Sequence, residues 1–132
     1  MTLLSIKSTQ HYDFVKLPKT DLHVHLEGTL EPEMLFKFAA RNHISLPWKN
    51  PECLYEACKF RDLSGFLAVY YKGCEVLVTE QDFYDLTHAY LQRASADGVV
   101  HTEFFFNPQI FRKEKLPLHA IMRAVFSAVH DM

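Results

Sequence analysis

Two histidines one residue apart, His23 and His25, close the run Thr20-Asp21-Leu22-His23-Val24-His25-Leu26 and are followed at once by Glu27 and Gly28. A strand points alternate side chains to one side, so both imidazoles can reach a single ion. Neutral imidazole suits zinc at ~2.0–2.1 Å, and a zinc held this way lowers the pKa of its water to about 7, which supplies hydroxide at neutral pH. A catalytic zinc takes three protein ligands and keeps one position open, so His23 and His25 are candidate ligands in a set that two cannot complete. Zn2+ is the cofactor this pattern implies.

The elements that must position this pair can be read outward from it. Leu22, Val24 and Leu26 alternate with Asp21, His23 and His25, which predicts a strand over 20–26 with the apolar residues packed on one side, the other three sharing the opposite side, and Gly28 ending it. Met34, Leu35, Phe38 and Ala39 recur at helical spacing between Pro32 and Asn42. Asn50-Pro51 opens a short helix toward Cys58, Ser64 is placed to cap the next, and Thr79 caps a third that Asp97-Gly98 stops. Residues 99–106, Val-Val-His-Thr-Glu-Phe-Phe-Phe, predict a second strand buried on both faces. Pro117 then opens a last helix with Leu118, Ile121, Met122, Val125 and Val129 on one face.

The order strand, helices, strand, helix predicts an α/β unit with parallel strands. A closed (β/α)8 barrel takes ~250 residues, so the fold expected is the N-terminal part of a TIM barrel, incomplete in this chain. Residues 1–16 form an N-terminal extension, and residues 17–132 supply strands 1 and 2 with a long helical insertion between them. Long connections at the C-terminal face of such a barrel commonly cover an active site, and Phe60, Phe66 and Leu67 are candidates to wall it. Glu103, beside His101, is placed either to orient a metal-bound histidine or to satisfy a core pair.

Composition narrows the class further. Fourteen basic residues nearly balance 16 acidic ones, with no block of either sign, so no nucleic-acid partner is expected. Cys53, Cys58 and Cys74 form no C-x-x-C pair, which fits reduced thiols in a cytoplasmic protein rather than a disulfide framework. No apolar run approaches the ~18 residues of a membrane span, and no membrane partner is expected. Nothing in the sequence fixes an oligomeric state.

The run Leu17-Pro18-Lys19-Thr20-Asp21-Leu22-His23-Val24-His25-Leu26-Glu27-Gly28-Thr29-Leu30-Glu31-Pro32 resembles the opening signature of the adenosine/adenine deaminase family. The likeness continues through Leu46-Pro47-Trp48, residues 79–86 and Val99-Val100-His101-Thr102-Glu103, and covers most positions from 17 to 112. The resemblance implies zinc binding by His23 and His25 and a purine substrate. Leu26-Glu27-Gly28 is closer to the adenine deaminase branch, where Glu27 would contact the free base and replace an aspartate that meets ribose. The chain departs from the pattern at Asn107, where an acidic residue would precede the proline. The resemblance implies hydrolysis of adenine to hypoxanthine and ammonia in purine salvage, with further zinc ligands and the proton donor beyond Met132, so this chain alone is expected to be inactive. Three other readings remain open: an adenosine deaminase, a non-enzymatic product acting through protein association, and a different metal-dependent hydrolase that shares only the H-x-H pair.

Overall fold

A computed structural model describes residues 17–114 and 116–132, and the extension expected over residues 1–16 lies outside the described residues. Strands β1 (Lys19–His25) and β2 (Val99–Phe105) pair in parallel, with Thr20 opposite His101 and His25 opposite Phe105. Between them run α1 (Pro32–Arg41), α2 (Pro51–Ala57), α3 (Leu63–Cys74) and α4 (Glu80–Ala96), and α5 (Leu118–His130) follows β2. Strand β1 stops at His25 and passes into a 3-10 turn over Leu26–Thr29, so the chain already bends two residues before Gly28.

One irregularity in β1 changes which side chains share a face. Asp21 pairs with Thr102 and Val24 with Phe104, three steps on β1 against two on β2. The extra residue is a bulge, and it resets the alternation on which the sequence expectation rested. Asp21 therefore does not share the side of His23 and His25. Its carboxylate accepts the Tyr90 O–H at 3.1 Å, and Tyr90 meets Phe104 edge-on at 5.9 Å on the side covered by α4. Leu22, expected to pack inward with Val24, is turned out by the same bulge and is 60% exposed.

Strand β2 is not buried on both faces either. Thr102, Phe104 and Phe106 are half-buried toward α4, whereas His101, Glu103 and Phe105 are exposed and Val100 is 73% exposed. Apolar composition gives a strand the capacity for burial on two sides, but α4 packs against one.

Local chemistry fixes where each helix begins and ends. Pro32 starts α1, and its end is a Schellman motif: Ile44 N–H donates to the Ala39 carbonyl at 2.8 Å and His43 N–H to Ala40 at 3.4 Å, with His43 at φ 56°. The Asn50 side chain caps α2 through Cys53 N–H at 2.9 Å. Helix α3 is capped by Asp62, which accepts Gly65 N–H at 2.8 Å; Ser64, expected as the cap, falls inside the first turn. Thr79 and Asp82 form a capping box at the start of α4, and Gly98 at φ 79° turns the chain into β2. Helix α5 opens after Pro117 as expected, but its buried stripe is Ala120, Ile121, Ala124, Val125 and Ala128, and Leu118 and Val129 are exposed. Three alanines let the α5 backbone approach its neighbour α4 closely, so the contact line follows the small residues rather than the largest apolar ones.

The core gathers Leu26, Phe38, Leu77, Phe83, Leu86, Phe111 and Ile121, all fully buried. Each such side chain contributes about 1.5–3 kcal/mol relative to exposure. Beside them lies a buried carboxylate, Asp82, which accepts hydrogen bonds from Arg41, Asn42, Val78 and Thr79 and ties the end of α1 to the start of α4. Helix α4 in turn holds the turn after β1, because Arg93 donates to the Thr29 carbonyl at 2.7 Å and pairs with Glu31 at 3.2 Å. Among the described residues no helix is long and apolar enough to cross a membrane.

Candidate functional site

The end of β1 brings the two candidate ligands side by side. The rings of His23 and His25 lie 5.6 Å apart, tilted by 45°, and each rests against Phe105 of β2, at 5.1 Å and 4.4 Å. Edge contacts of this kind limit ring rotation without consuming a nitrogen. Both histidines are exposed, which suits a pair of imidazole donors. Among the described residues no group of three His, Cys, Asp or Glu side chains could hold a metal ion, so the donor set fits zinc in kind and supplies two ligands of it. His101 and Glu103 meet each other at 3.3 Å and are both exposed, so Glu103 orients neither candidate ligand and the two form no core pair.

Two residues past His25 the chain does something less common. Glu27 is 4% exposed, and one of its oxygens is doubly satisfied: Oε1 accepts the backbone N–H and the side-chain Nδ2 of Asn107, each at 2.9 Å. Oε2 is buried and has no hydrogen-bond partner. Leaving such an acceptor unpaired costs about 1–3 kcal/mol, more for a charged group, so its retention asks for an explanation. The parallel register explains why the two meet: His25 is opposite Phe105, and Glu27 and Asn107 each stand two residues farther on.

Asn107 also touches the rest of the site. Its Nδ2 lies 3.4 Å from His25 Nδ1 and 3.4 Å from the Tyr70 hydroxyl. Burial, and then the neighbouring Glu27 carboxylate, push the Tyr70 phenol well above its ordinary range, so it stays protonated. Burial likewise pushes the Cys74 thiol up to about 12. Glu27, Gly28 and Tyr70 open onto a cavity of about 190 Å³ whose remaining walls include Leu35, Phe60 and Phe66. Phe60 and Phe66 are edge-on at 5.2 Å and Phe66 stacks on Tyr70 at 5.8 Å, while Leu67 does not line the cavity. A largely apolar hollow with one convergent carboxylate is the form that small-molecule sites take.

Asn107 and Tyr70 carry roles that the sequence did not disclose. Asn107 stands before a proline at the C-terminal end of a strand parallel to β1, the place where barrel enzymes gather functional groups, and that position was the available signal. Tyr70 reads in sequence as one more apolar member of a helix stripe.

Comparison with known proteins places this geometry in context. The family model described as adenosine deaminase matches residues 18–132. An adenine deaminase from Pseudomonas syringae pv. syringae is 51% identical over 121 residues, which take in 91% of this chain and 38% of that protein. One from Vibrio parahaemolyticus is 49% identical over 115 residues, covering 87% and 34%. Among solved structures, the adenine deaminase from Arthrobacter aurescens superposes with a TM-score of 0.79 at 46% identity, over 84% of this chain and 34% of that one. An amidohydrolase from Burkholderia ambifaria with bound zinc gives 0.76 at 27% identity, over 89% and 32%. The chain spans a little over a third of the length of the curated relatives it matches. Its two parallel strands and their helices correspond to the first part of a (β/α)8 barrel.

Proposed function

This chain belongs to the adenosine deaminase family, and from that membership we propose that it carries the N-terminal share of a zinc aminohydrolase site that converts adenine and water to hypoxanthine and ammonia. The observation that carries the adenine reading is Glu27, a buried carboxylate with one unpartnered oxygen, in the wall of a small apolar cavity. His23 and His25 would hold the metal, whose contribution is a bound water acidic enough to act as hydroxide near neutral pH. Glu27 binds the base through an N–H that a nucleoside lacks because its sugar is attached there. Apolar walls such as Phe60 and Phe66 cover the ring faces and keep water out, and Tyr70 adds a protonated hydroxyl beside Glu27.

The reaction suits purine salvage in the cytoplasm, and the partner it requires is a small purine rather than nucleic acid or membrane. Two imidazoles do not make a working zinc site, so the 132-residue chain by itself is inactive in this reading. The test is kcat/KM for adenine and for adenosine, measured on the product of the whole coding sequence before and after Glu27→Asp. Adenine should be preferred, with the preference reduced by the shorter carboxylate. If adenosine is the better substrate of the unmodified protein, the adenine assignment is wrong and the family assignment alone stands.

A further inference from the structure

The two oxygens of Glu27 have different surroundings, and the difference is made by one residue. Asn107 places two N–H donors on Oε1, one from its backbone and one from its side chain, both at 2.9 Å. A carboxylate is planar, so fixing one oxygen by two bonds from the same residue fixes the direction of the other. The other, Oε2, is buried and without a partner, and Glu27 lines the cavity walled by Phe60, Phe66 and Tyr70. The Asn107 amide is itself held: Gln109 Nε2 donates to its Oδ1 at 3.4 Å, and its Nδ2 approaches the Tyr70 hydroxyl at 3.4 Å. Its remaining contact, 3.4 Å to His25 Nδ1, links the cavity to the histidine pair.

We infer that Asn107 is a positioning residue that selects the ligand: by clamping Glu27 Oε1 it aims Oε2 into the cavity as an acceptor for one ring N–H of a flat heterocycle. A ligand whose corresponding nitrogen carries a carbon substituent leaves Oε2 unpaired and is rejected. This rests on the purine reading above and adds the residue that enforces it. Asn107 does not contact the ligand; its effect passes through Glu27.

The readout is discrimination between adenine and 9-methyladenine, which differ at one ring nitrogen. Binding of each to the metal-free product of the whole coding sequence is measured by chemical-shift titration, for the unmodified chain and for Glu27→Gln and Asn107→Ala. The unmodified chain should favour adenine by at least about tenfold, since sites built to bond an N–H reject analogues that lack it. Asn107→Ala keeps the backbone donor but frees the carboxylate to rotate, and should bring the ratio close to one. A residue that merely supports the fold would weaken both ligands by the same factor, so an unchanged ratio in Asn107→Ala overturns the inference while leaving Glu27 as the acceptor. Absence of discrimination, or of adenine binding, in the unmodified chain overturns the purine reading together with it. A dispersed amide spectrum, with the Asn107 N–H resonance moved in Glu27→Gln, shows that the variants are folded and that the clamp exists.

Discussion

Replacing Asp82 by alanine should destabilise the chain by about 3–5 kcal/mol, a large fraction of the ~5–15 kcal/mol that holds most domains together. The carboxylate is fully buried and serves five donors: the Arg41 guanidinium, Asn42 Nδ2 at 2.9 Å, Val78 N–H at 3.0 Å, and the N–H and hydroxyl of Thr79, each at 2.8 Å. Loss of the capping box costs about 1 kcal/mol. Two part-buried backbone N–H groups left without their partner cost roughly 1–3 kcal/mol each when water cannot replace it. Arg41 moderates the sum, because its side chain is about a third exposed and keeps Asp85 at 2.7 Å, so its charge is not stranded. Urea unfolding followed by circular dichroism measures the difference. Asp82→Asn, which keeps the shape but turns a donor toward other donors, should fall between the two. A loss below about 1 kcal/mol for Asp82→Ala would mean that the web is solvent-replaceable and that α1 is not tied to α4 through it.

Three further outcomes follow from features already described. Calorimetric titration of the chain with zinc should show weak binding that His23→Ala removes, with no catalytic release of ammonia from adenine; sustained turnover that depends on His23 would reveal a complete site. Iodoacetamide at pH 8 should label Cys53 and Cys58, both exposed, ahead of buried Cys74, whose thiol is pushed up to about 12 and stays protonated until the chain unfolds; equal labelling by mass spectrometry would contradict its burial. His43→Gly should raise stability by roughly 0.5–1 kcal/mol, because His43 occupies the left-handed region at φ 56° where a Cβ is penalised, and an unchanged or lowered unfolding midpoint would show that its side chain repays the strain.

The sequence disclosed the elements better than their surroundings. Both strands, the helix starts at Pro32, Pro51 and Glu80 and the stop at Gly98 follow from local residue chemistry, and local chemistry is what a sequence carries. Errors came where a second element decides the outcome. Ser64 and Asp62 are both competent caps, and the choice depends on how the preceding chain arrives. The inward stripe of α5 depends on how near α4 lies, which favours alanines over Leu118 and Val129. At the site, the side-by-side placement of His23 and His25 was legible because two residues on one strand need only the period of that strand. The Glu27–Asn107 bond joins residues 80 apart and needs the register of β1 on β2, which no periodicity encodes.

The bulge between Asp21 and Val24 acts as a phase shifter along β1. Upstream of it the strand is keyed to helix α4 through Asp21 and Tyr90, and downstream it is keyed to the histidine side through Phe105. The two halves can therefore be tuned separately: exchange of residues at Lys19 and Thr20 alters the anchoring of the strand without changing which way His23 and His25 point. Deleting one residue within the bulge would leave Asp21 opposite Thr102 and Val24 opposite Phe104, with one residue between them on each strand. Regular alternation would then hold Asp21 on the Tyr90 side, whereas alternation counted along the intact sequence puts it beside His23 and His25. A search for metal sites that counts alternate residues along this strand would thus enrol a carboxylate that the folded chain uses as a bolt.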